Sequence, residues 1–476
     1  MLRLWITLCL LTGCIFRAFA EPNIVVILAD DLGYGDLKCY QPEGKIPTPH
    51  LDRMASEGMR FTDAHSASAV CTPTRYALLT GRYCWRTRLK KGVLGGWSPH
   101  LLEDGRLTAA SMLKQRGYVT ACIGKWHLGM DWPAQGGGLG DDIAPVKDWK
   151  SIDFSKPVTH GPTSNGFDSY FGIAASLDMP PFAFIRNDRL TGELTATRTY
   201  LRTGPATPGF EAEKVILELV REACTFVRAR AADGKPFFLY LPLTSPHTPV
   251  APSEKWKAKS PIGPYGDFVM ETDHAAGEVL TALRDSALDR NTLVIFTSDN
   301  GATPNNIKKA ADGTVPHRSN APWRGAKSDI FEGGHRIPFI VRWPGTTPAG
   351  SVCREPVCLN TLITTAAEFT GLPLPAGAGP DSFSIAPLLR GEKPDKPTHP
   401  FIIHHSIEGL FAIRKGDWKY IDGPGSGGWS KDPPVTTPGQ LYNLADDSGE
   451  EQNLYARAPE KVAELQALLK ECRARN

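Results

Sequence analysis

The chain has 476 residues, 41% of them hydrophobic and 22% charged, a balance that fits a folded globular protein and excludes a disordered or fibrous one. Lys plus Arg number 53 against 51 Asp plus Glu, so a net charge of +2 does not mark nucleic acid as a partner. The 46 Gly and 40 Pro imply many tight turns and long loops carried on a rigid scaffold.

Residues 1–20 read as an export signal. Arg3 supplies the positive start, Leu4 to Leu11 the apolar run, and Ala18-Phe19-Ala20 the small-x-small cleavage site. A second reading stays open: Leu11-Thr12-Gly13-Cys14 resembles a lipoprotein box, which would leave a lipidated Cys14. Both readings put the mature protein outside the cytoplasm, periplasmic or secreted. No later run reaches the roughly 18 apolar residues of a membrane span. Of the ten Cys, Cys9 and, with cleavage after Ala20, Cys14 leave with the signal; the rest, from Cys39 to Cys472, show no zinc-site spacing. Cys353 and Cys358 are near enough for a small loop bridge, although sequence does not fix pairing, and Cys122 reads as a buried thiol.

Four apolar runs then stop abruptly at ionisable residues. Asn23 to Ala29 ends at Asp30-Asp31, and Tyr118 to Ile123 ends at Gly124-Lys125-Trp126-His127. Phe237 to Leu241 leads through Pro242 and Pro246 to His247, and Thr292 to Thr297 ends at Ser298-Asp299-Asn300. Runs without alternation suit strands buried on both faces of a mostly parallel sheet, with helices such as Glu211 to Arg230 and Met270 to Asp285 between them. Ligands of such α/β sheets bind at the carboxyl ends of the strands, so the four polar ends converge on one site. From Phe401 the pattern changes to short strands, Phe401 to His404, Leu410 to Arg414 and Trp418 to Ile421, followed by a Gly/Pro-rich loop and a helix from Pro459 to Arg473. The organisation expected is a catalytic domain over 21–395 and a C-terminal antiparallel sheet plus helix over 396–476.

The strand ends carry chemistry. Asp30 and Asp31 repel each other and lose hydration after a buried strand, a costly arrangement unless a cation or a helix cap relieves it. Asp299-Asn300 repeats the pattern, and together they form a hard oxygen donor set suited to Ca²⁺ or Mg²⁺. Pro73 near a helix start, followed by Tyr76 to Leu79 and closed by Gly81, puts Cys71 at a helix N-terminus, where an anionic group is favoured. Cys71 is then an activated thiolate, an oxyanion-holding centre or an ordinary structural Cys.

The stretch Cys71-Thr72-Pro73-Thr74-Arg75-Tyr76-Ala77-Leu78-Leu79-Thr80-Gly81 resembles the first signature of the type I, formylglycine-dependent sulfatases of the arylsulfatase A-like group. Gly117 to His127 resembles their second signature. Asp30-Asp31, Ser245-Pro246-His247, Ser298-Asp299-Asn300, Gly325-Ala326-Lys327 and Glu332 to Arg336 follow in the family's order, so the likeness covers residues 23 to 345. It implies an alkaline phosphatase-like α/β fold and sulfate monoester hydrolysis. Cys71 would be converted to Cα-formylglycine by a maturation enzyme, and the hydrate would be the nucleophile. Asp30, Asp31, Asp299 and Asn300, with an oxygen from modified Cys71, would hold one Ca²⁺. Arg75 and Lys125 would steady the formylglycine hydroxyls, and His127 would take a proton from one of them. His247 and Lys327 would face the sulfate and the departing oxygen, with His247 the general acid.

Two alternatives stay beside this reading: a phosphate ester hydrolase of the same superfamily, and a glycan-binding homologue without turnover. For substrate, the relatives of such exported chains imply a sulfated carbohydrate, with aryl sulfates as artificial substrates. The loops Trp97 to His100, Trp132 to Ser164, Asp178 to Asp188 and His317 to Trp323 are candidates for the pocket, with Trp97, Arg186, His317, Arg318 and Trp323 able either to meet a sugar or an acidic neighbour or only to pack the loops. Glu332 with Arg336 reads as a structural ion pair. Asp273-His274, His404-His405 and His160 read as structural or surface residues, since their spacing matches no metal pattern.

Overall fold

Residues Ile24 to Ala29 face alternately into two different cores and none is more than 1% exposed. Ile24, Val26 and Leu28 pack on one face of the strand, Val25, Ile27 and Ala29 on the other, which is why the run is apolar without alternation. The computed structural model describes residues 21–134, 149–304, 317–431 and 436–475. The export-signal reading, Cys14 and Cys9 lie outside these residues.

The strand Asn23–Asp30 is central in a ten-stranded sheet. On one side it pairs in parallel with Phe237–Pro246, which is followed outward by Val119–Lys125 and Ser169–Ile173. On the other it pairs in parallel with Thr292–Ser298, and beyond that the antiparallel Phe339–Arg342 begins the edge. All four anticipated strands are present and adjacent in space. The Phe237–Pro246 strand runs five residues past the Leu241 end expected from sequence, because the chain continues extended through Pro242 to Pro246. Proline donates no ladder hydrogen bond, and the pairing register with Asn23–Asp30 shifts between Leu28 and Asp30.

Helices cover both faces. Pro49–Glu57, Ala212–Arg230 and Pro264–Asp285 bury Leu51, Leu219 and Phe268 on one side. Cys71–Thr80, Ala109–Gln115 and Leu362–Thr370 bury Leu79, Leu113 and Ile363 on the other. The helix expected from Met270 begins six residues earlier, at Pro264, where a proline takes the first helical turn without losing a bond. Gly81 ends the Cys71–Thr80 helix at φ +66°, and a Cβ there would meet Ile363 Cγ2 at 2.6 Å.

The tail forms the four-stranded antiparallel sheet Ile402–His405, Phe411–Lys415, Trp418–Ile421 and Gln440–Asn443, with the helix Pro459–Ala474. Gln440–Asn443 was hidden in the segment read as a Gly/Pro-rich loop. This sheet packs against Ala67, Ala77, Tyr83 and Trp85 of the larger unit. Buried ion pairs cross the same junction: Arg414 with Asp63 at 2.7 Å, and Lys419 with Glu332 at 3.0 Å.

The eight cysteines among the described residues are all free. Cys353 and Cys358 do not bridge, because each leaves in a different small strand, one pairing beside Phe61 and the other beside His65. Cys122 is fully buried in the central sheet, as expected. Among the described residues no helix is long and apolar enough to cross a membrane.

Candidate active site

The parallel strands deliver their polar ends to one place. Asp30, Asp31, Asp299, Asn300, Arg75, Lys125 and His127 have no exposed surface, and Cys71, His247 and Lys327 are at most 6% exposed. Gly124 lets the Val119–Lys125 strand approach its neighbour: at φ +139° it has no side chain, and a Cβ would lie 1.9 Å from the Pro242 carbonyl. Lys125 follows, and its Nζ donates to Asp30 Oδ2 at 2.6 Å.

Arg75 lies in the first turns of the Cys71–Thr80 helix and donates twice to Asp299 Oδ2, from Nη2 at 2.6 Å and Nε at 3.1 Å. Its Nη2 is also 3.5 Å from Asp30 Oδ1. Lys327 Nζ donates to Asp31 at 2.8 Å, and Asp31 accepts from Asn300 Nδ2 at 2.7 Å and Thr303 Oγ1 at 2.8 Å. His247 Nε2 stands 3.7 Å from Asp31 Oδ2. Asp31 and His127 both take left-handed backbone conformations, φ +64° and +55°, a local strain of about 1–3 kcal/mol each that folded proteins concentrate at functional sites.

Three carboxylates and three permanent cations share this dry volume. Burial would raise Asp30, yet Lys125, His247 and Arg75 hold its carboxyl far below the usual range. Burial also opposes ionisation of Asp31, which Lys327 and His247 overcome to lower it. Asp299 goes the other way, pushed up to about 6 by burial and the neighbouring Asp30 charge despite Arg75. Burial raises the Cys71 thiol. Burial, then Lys125 and Arg75, keep His127 neutral, and burial with Lys327 lowers His247.

The residues present fit a divalent cation of the oxygen-binding kind. Asp30 Oδ1 and Asn300 Oδ1 are buried acceptors with no hydrogen-bond partner, which is costly unless a ligand uses them. Donor atoms of Asp30, Asp299 and Cys71 lie within 4.8 Å of one another. The Cys71 sulfur stands where the oxygen of a formylglycine would be, and that replacement would make the donor set all-oxygen.

Some expected pocket residues do other work. Trp97 packs in the core against Trp132 and Phe154, and Arg186 pairs with Glu222 at 3.0 Å on the outer surface. His317 Nε2–H donates to the buried Asp36 Oδ1 at 2.9 Å, and Trp323 is stacked by Arg336. Arg318 is exposed and, with His317 and Trp323, lines a cleft of about 490 Å³ that opens beside Thr303 and Ala326, next to Asp31 and Lys327. Arg336 pairs with Glu332 at 3.1 Å, as read from sequence. Of the Trp132 to Ser164 loop, residues 135–148 lie outside the described ones.

Sequence reasoning missed two polar neighbours. Asp178 Oδ1 is 4.0 Å from His247 Nδ1 and otherwise unpartnered, while its other oxygen pairs with Arg202. Thr303 fixes one oxygen of Asp31. Neither carries a motif; Asp178 had only its place in a loop marked as pocket-forming.

The sulfatase family model matches residues 22–372. The chain is 32% identical to an N-acetylgalactosamine-6-O-sulfatase of Bacteroides thetaiotaomicron, over 98% of this chain and 97% of that one. It is also 32% identical to human arylsulfatase A, over 94% and 86%. A solved structure from work on glycosaminoglycan metabolism by Bacteroides thetaiotaomicron superposes with a TM-score of 0.82 at 30% identity, covering 96% of this chain and all of that one. The chain therefore belongs to the sulfatase family. It is a sulfuric ester hydrolase, and membership of the family implies a formylglycine and a metal ion.

Proposed function

We propose that this protein is an exported sulfatase that removes a terminal sulfate from a carbohydrate, with a 6-O-sulfated amino sugar as the first substrate class to test. The observation that carries this reading is the end-to-end correspondence with the N-acetylgalactosamine-6-O-sulfatase. A cleft of about 490 Å³ edged by the exposed Arg318, beside Lys327, is compatible with a sugar carrying an anionic group.

Asp30, Asp31, Asp299 and Asn300, with residue 71, would hold one Ca²⁺, which supplies positive charge against the sulfate oxygens. Residue 71, as formylglycine, supplies the nucleophile. The remaining roles fall to side chains in the same pocket. His127 donates Nε2–H to the Leu94 carbonyl at 2.7 Å, so its buried Nδ1 is an unpartnered lone pair able to accept a proton. Lys125 and Arg75 hold two metal-binding carboxylates in place and add positive charge next to residue 71. Lys327 offers a permanent cation to the sulfate. Burial and Lys327 lower the pKa of His247, and an anionic ester raises it again, so His247 gains a transferable proton when substrate is bound. The division into 21–395 and 396–476 completes the reading: the four-stranded unit braces the larger one without contributing a group named here.

The test is sulfate release from N-acetylgalactosamine 6-sulfate by mature protein, beside matched aryl sulfate and aryl phosphate. Sulfate release from the sugar, with aryl sulfate preferred over aryl phosphate, supports the reading. Turnover of aryl sulfate but of no sulfated sugar removes the carbohydrate assignment.

A further inference from the structure

Three side chains far apart in sequence meet beside the exit of the Val119–Lys125 strand. Backbone bonds from Asp131 N to Thr159 O (2.8 Å) and Thr159 N to Asp131 O (3.0 Å) dock His160 against Asp131. Bonds from Leu101 N to Leu128 O (2.9 Å) and Met130 N to Ser98 O (3.2 Å) dock His100 on the other side. His100 Nδ1 lies 2.9 and 2.8 Å from the two Asp131 oxygens. His160 Nδ1 lies 2.8 Å from Asp131 Oδ2, yet it is buried and makes no aligned hydrogen bond there. The two rings are stacked, 4.3 Å apart and 20° from parallel.

We propose that His100, Asp131 and His160 form a site for one zinc-class divalent cation, built from none of the residues of the oxygen-lined centre. Two imidazole nitrogens and one carboxylate oxygen are the donor set of Zn²⁺ rather than Ca²⁺. Donors about 2.0–2.1 Å from a common ion lie roughly 3 Å from each other, close to the separations here. At His160 the close N···O approach lacks hydrogen-bond alignment, as lone pairs directed at a shared point would, whereas His100 Nδ1 hydrogen-bonds Asp131 through a proton that an ion would displace. Asp104 Oδ1 is 3.5 Å from His160 Nε2, on the far side of the ring, where a carboxylate orients a metal-binding histidine. All three ligands are partly exposed, so an ion can enter from solvent and keep a water as its fourth ligand. Bound there, it ties the loops holding His100 and His160 to the segment that leaves His127. A second histidine group, His65, Glu332, His335 and His404, is fully buried and already penetrated by Lys419, 3.1 Å from His335 Nε2, which opposes a cation.

The test is calorimetric titration of untagged, calcium-loaded protein with Zn²⁺, repeated with Co²⁺ for its visible absorption. One equivalent is expected to bind in the wild type, with at least about tenfold weaker binding in His160→Ala and Asp131→Asn and a smaller loss in Asp104→Asn. Circular dichroism confirms that each variant is folded; should His160→Ala not fold, Asp131→Asn and Asp104→Asn decide. No bound zinc in the wild type, or zinc binding that survives both Asp131→Asn and His160→Ala, overturns the proposal. So does zinc binding that disappears in His404→Ala but not in His160→Ala.

Discussion

Arg75 and Asp299 meet fully buried, with Nε and Nη2 of the guanidinium both directed at Oδ2. The pair ties the helix that begins at Cys71 to the end of the Thr292–Ser298 strand, so it sets how residue 71 faces the carboxylates. Arg75→Met removes the charge and leaves Asp299 buried beside Asp30. Denaturant unfolding of calcium-free protein is expected to show a loss of about 3–5 kcal/mol. Arg75→Lys keeps the charge but not the fork and is expected to lose about 10²-fold in kcat. Unchanged kcat in Arg75→Lys would mean that the pair does not position the site.

Calcium should matter in a specific way. Without a cation, Asp299 is pushed up to about 6, and Asp30 Oδ1 and Asn300 Oδ1 lack partners. Chelation is expected to abolish activity and Ca²⁺ to restore it, while Asp299→Asn weakens Ca²⁺ binding measured directly by calorimetry. Full activity in metal-stripped protein would refute the assignment of Asp30, Asp31, Asp299 and Asn300 as ligands.

Leaving groups should test the role of His247. If His247 gives the proton to the departing oxygen, His247→Ala slows esters of basic sugar alcohols by about 10²-fold or more and activated aryl esters far less. Asp178→Asn, removing the carboxylate 4.0 Å from His247 Nδ1, should show the same bias more weakly, with a shifted pH profile. Equal losses on both ester types would argue against His247 as the acid.

Much of this arrangement was legible in the sequence. Strands buried on both faces write unbroken apolar runs, and the abrupt carboxylates after Ala29 and Ser298 announced where the site lies. The strand Gln440–Asn443 was not legible: four residues among Gly and Pro carry no periodicity, and only pairing with Trp418–Ile421 makes them a strand. His160, read as structural or surface, is partly exposed, and its contact with Asp131 could not be read for a related reason. Its partners His100 and Asp131 come from separate loops joined by backbone bonds, so no local spacing records them. For Trp97 and Arg186 the sequence left pocket and packing roles open, because an aromatic or charged residue in a loop looks the same in sequence whether it faces the pocket, the core or solvent.

Acid should destabilise the fold through buried neutral histidines. His399 and His405 are pulled down to about 3 and about 4 by burial, and the ring nitrogens of His399 have no hydrogen-bond partners. Their folded pKa values lie below the unfolded value of about 6.5, so the unfolded state binds more protons between the two. The stability they contribute is complete above about pH 6.5 and is lost as pH falls toward 4. His405→Phe, which keeps a ring against Phe411, is expected to flatten the decline of unfolding free energy with falling pH by up to about 1.4 kcal/mol per pH unit. Parallel curves for wild type and variant from pH 7 to 4.5 would contradict this.

Residue 71 is the decisive position, and mass spectrometry of its tryptic peptide from the native source tests it most directly. Conversion of the thiol to an aldehyde lowers the peptide mass by roughly 18 Da and makes it reactive toward hydrazides. That lighter, hydrazide-reactive peptide is the expected result in active protein. A peptide that carries an intact cysteine in fully active protein would contradict the account.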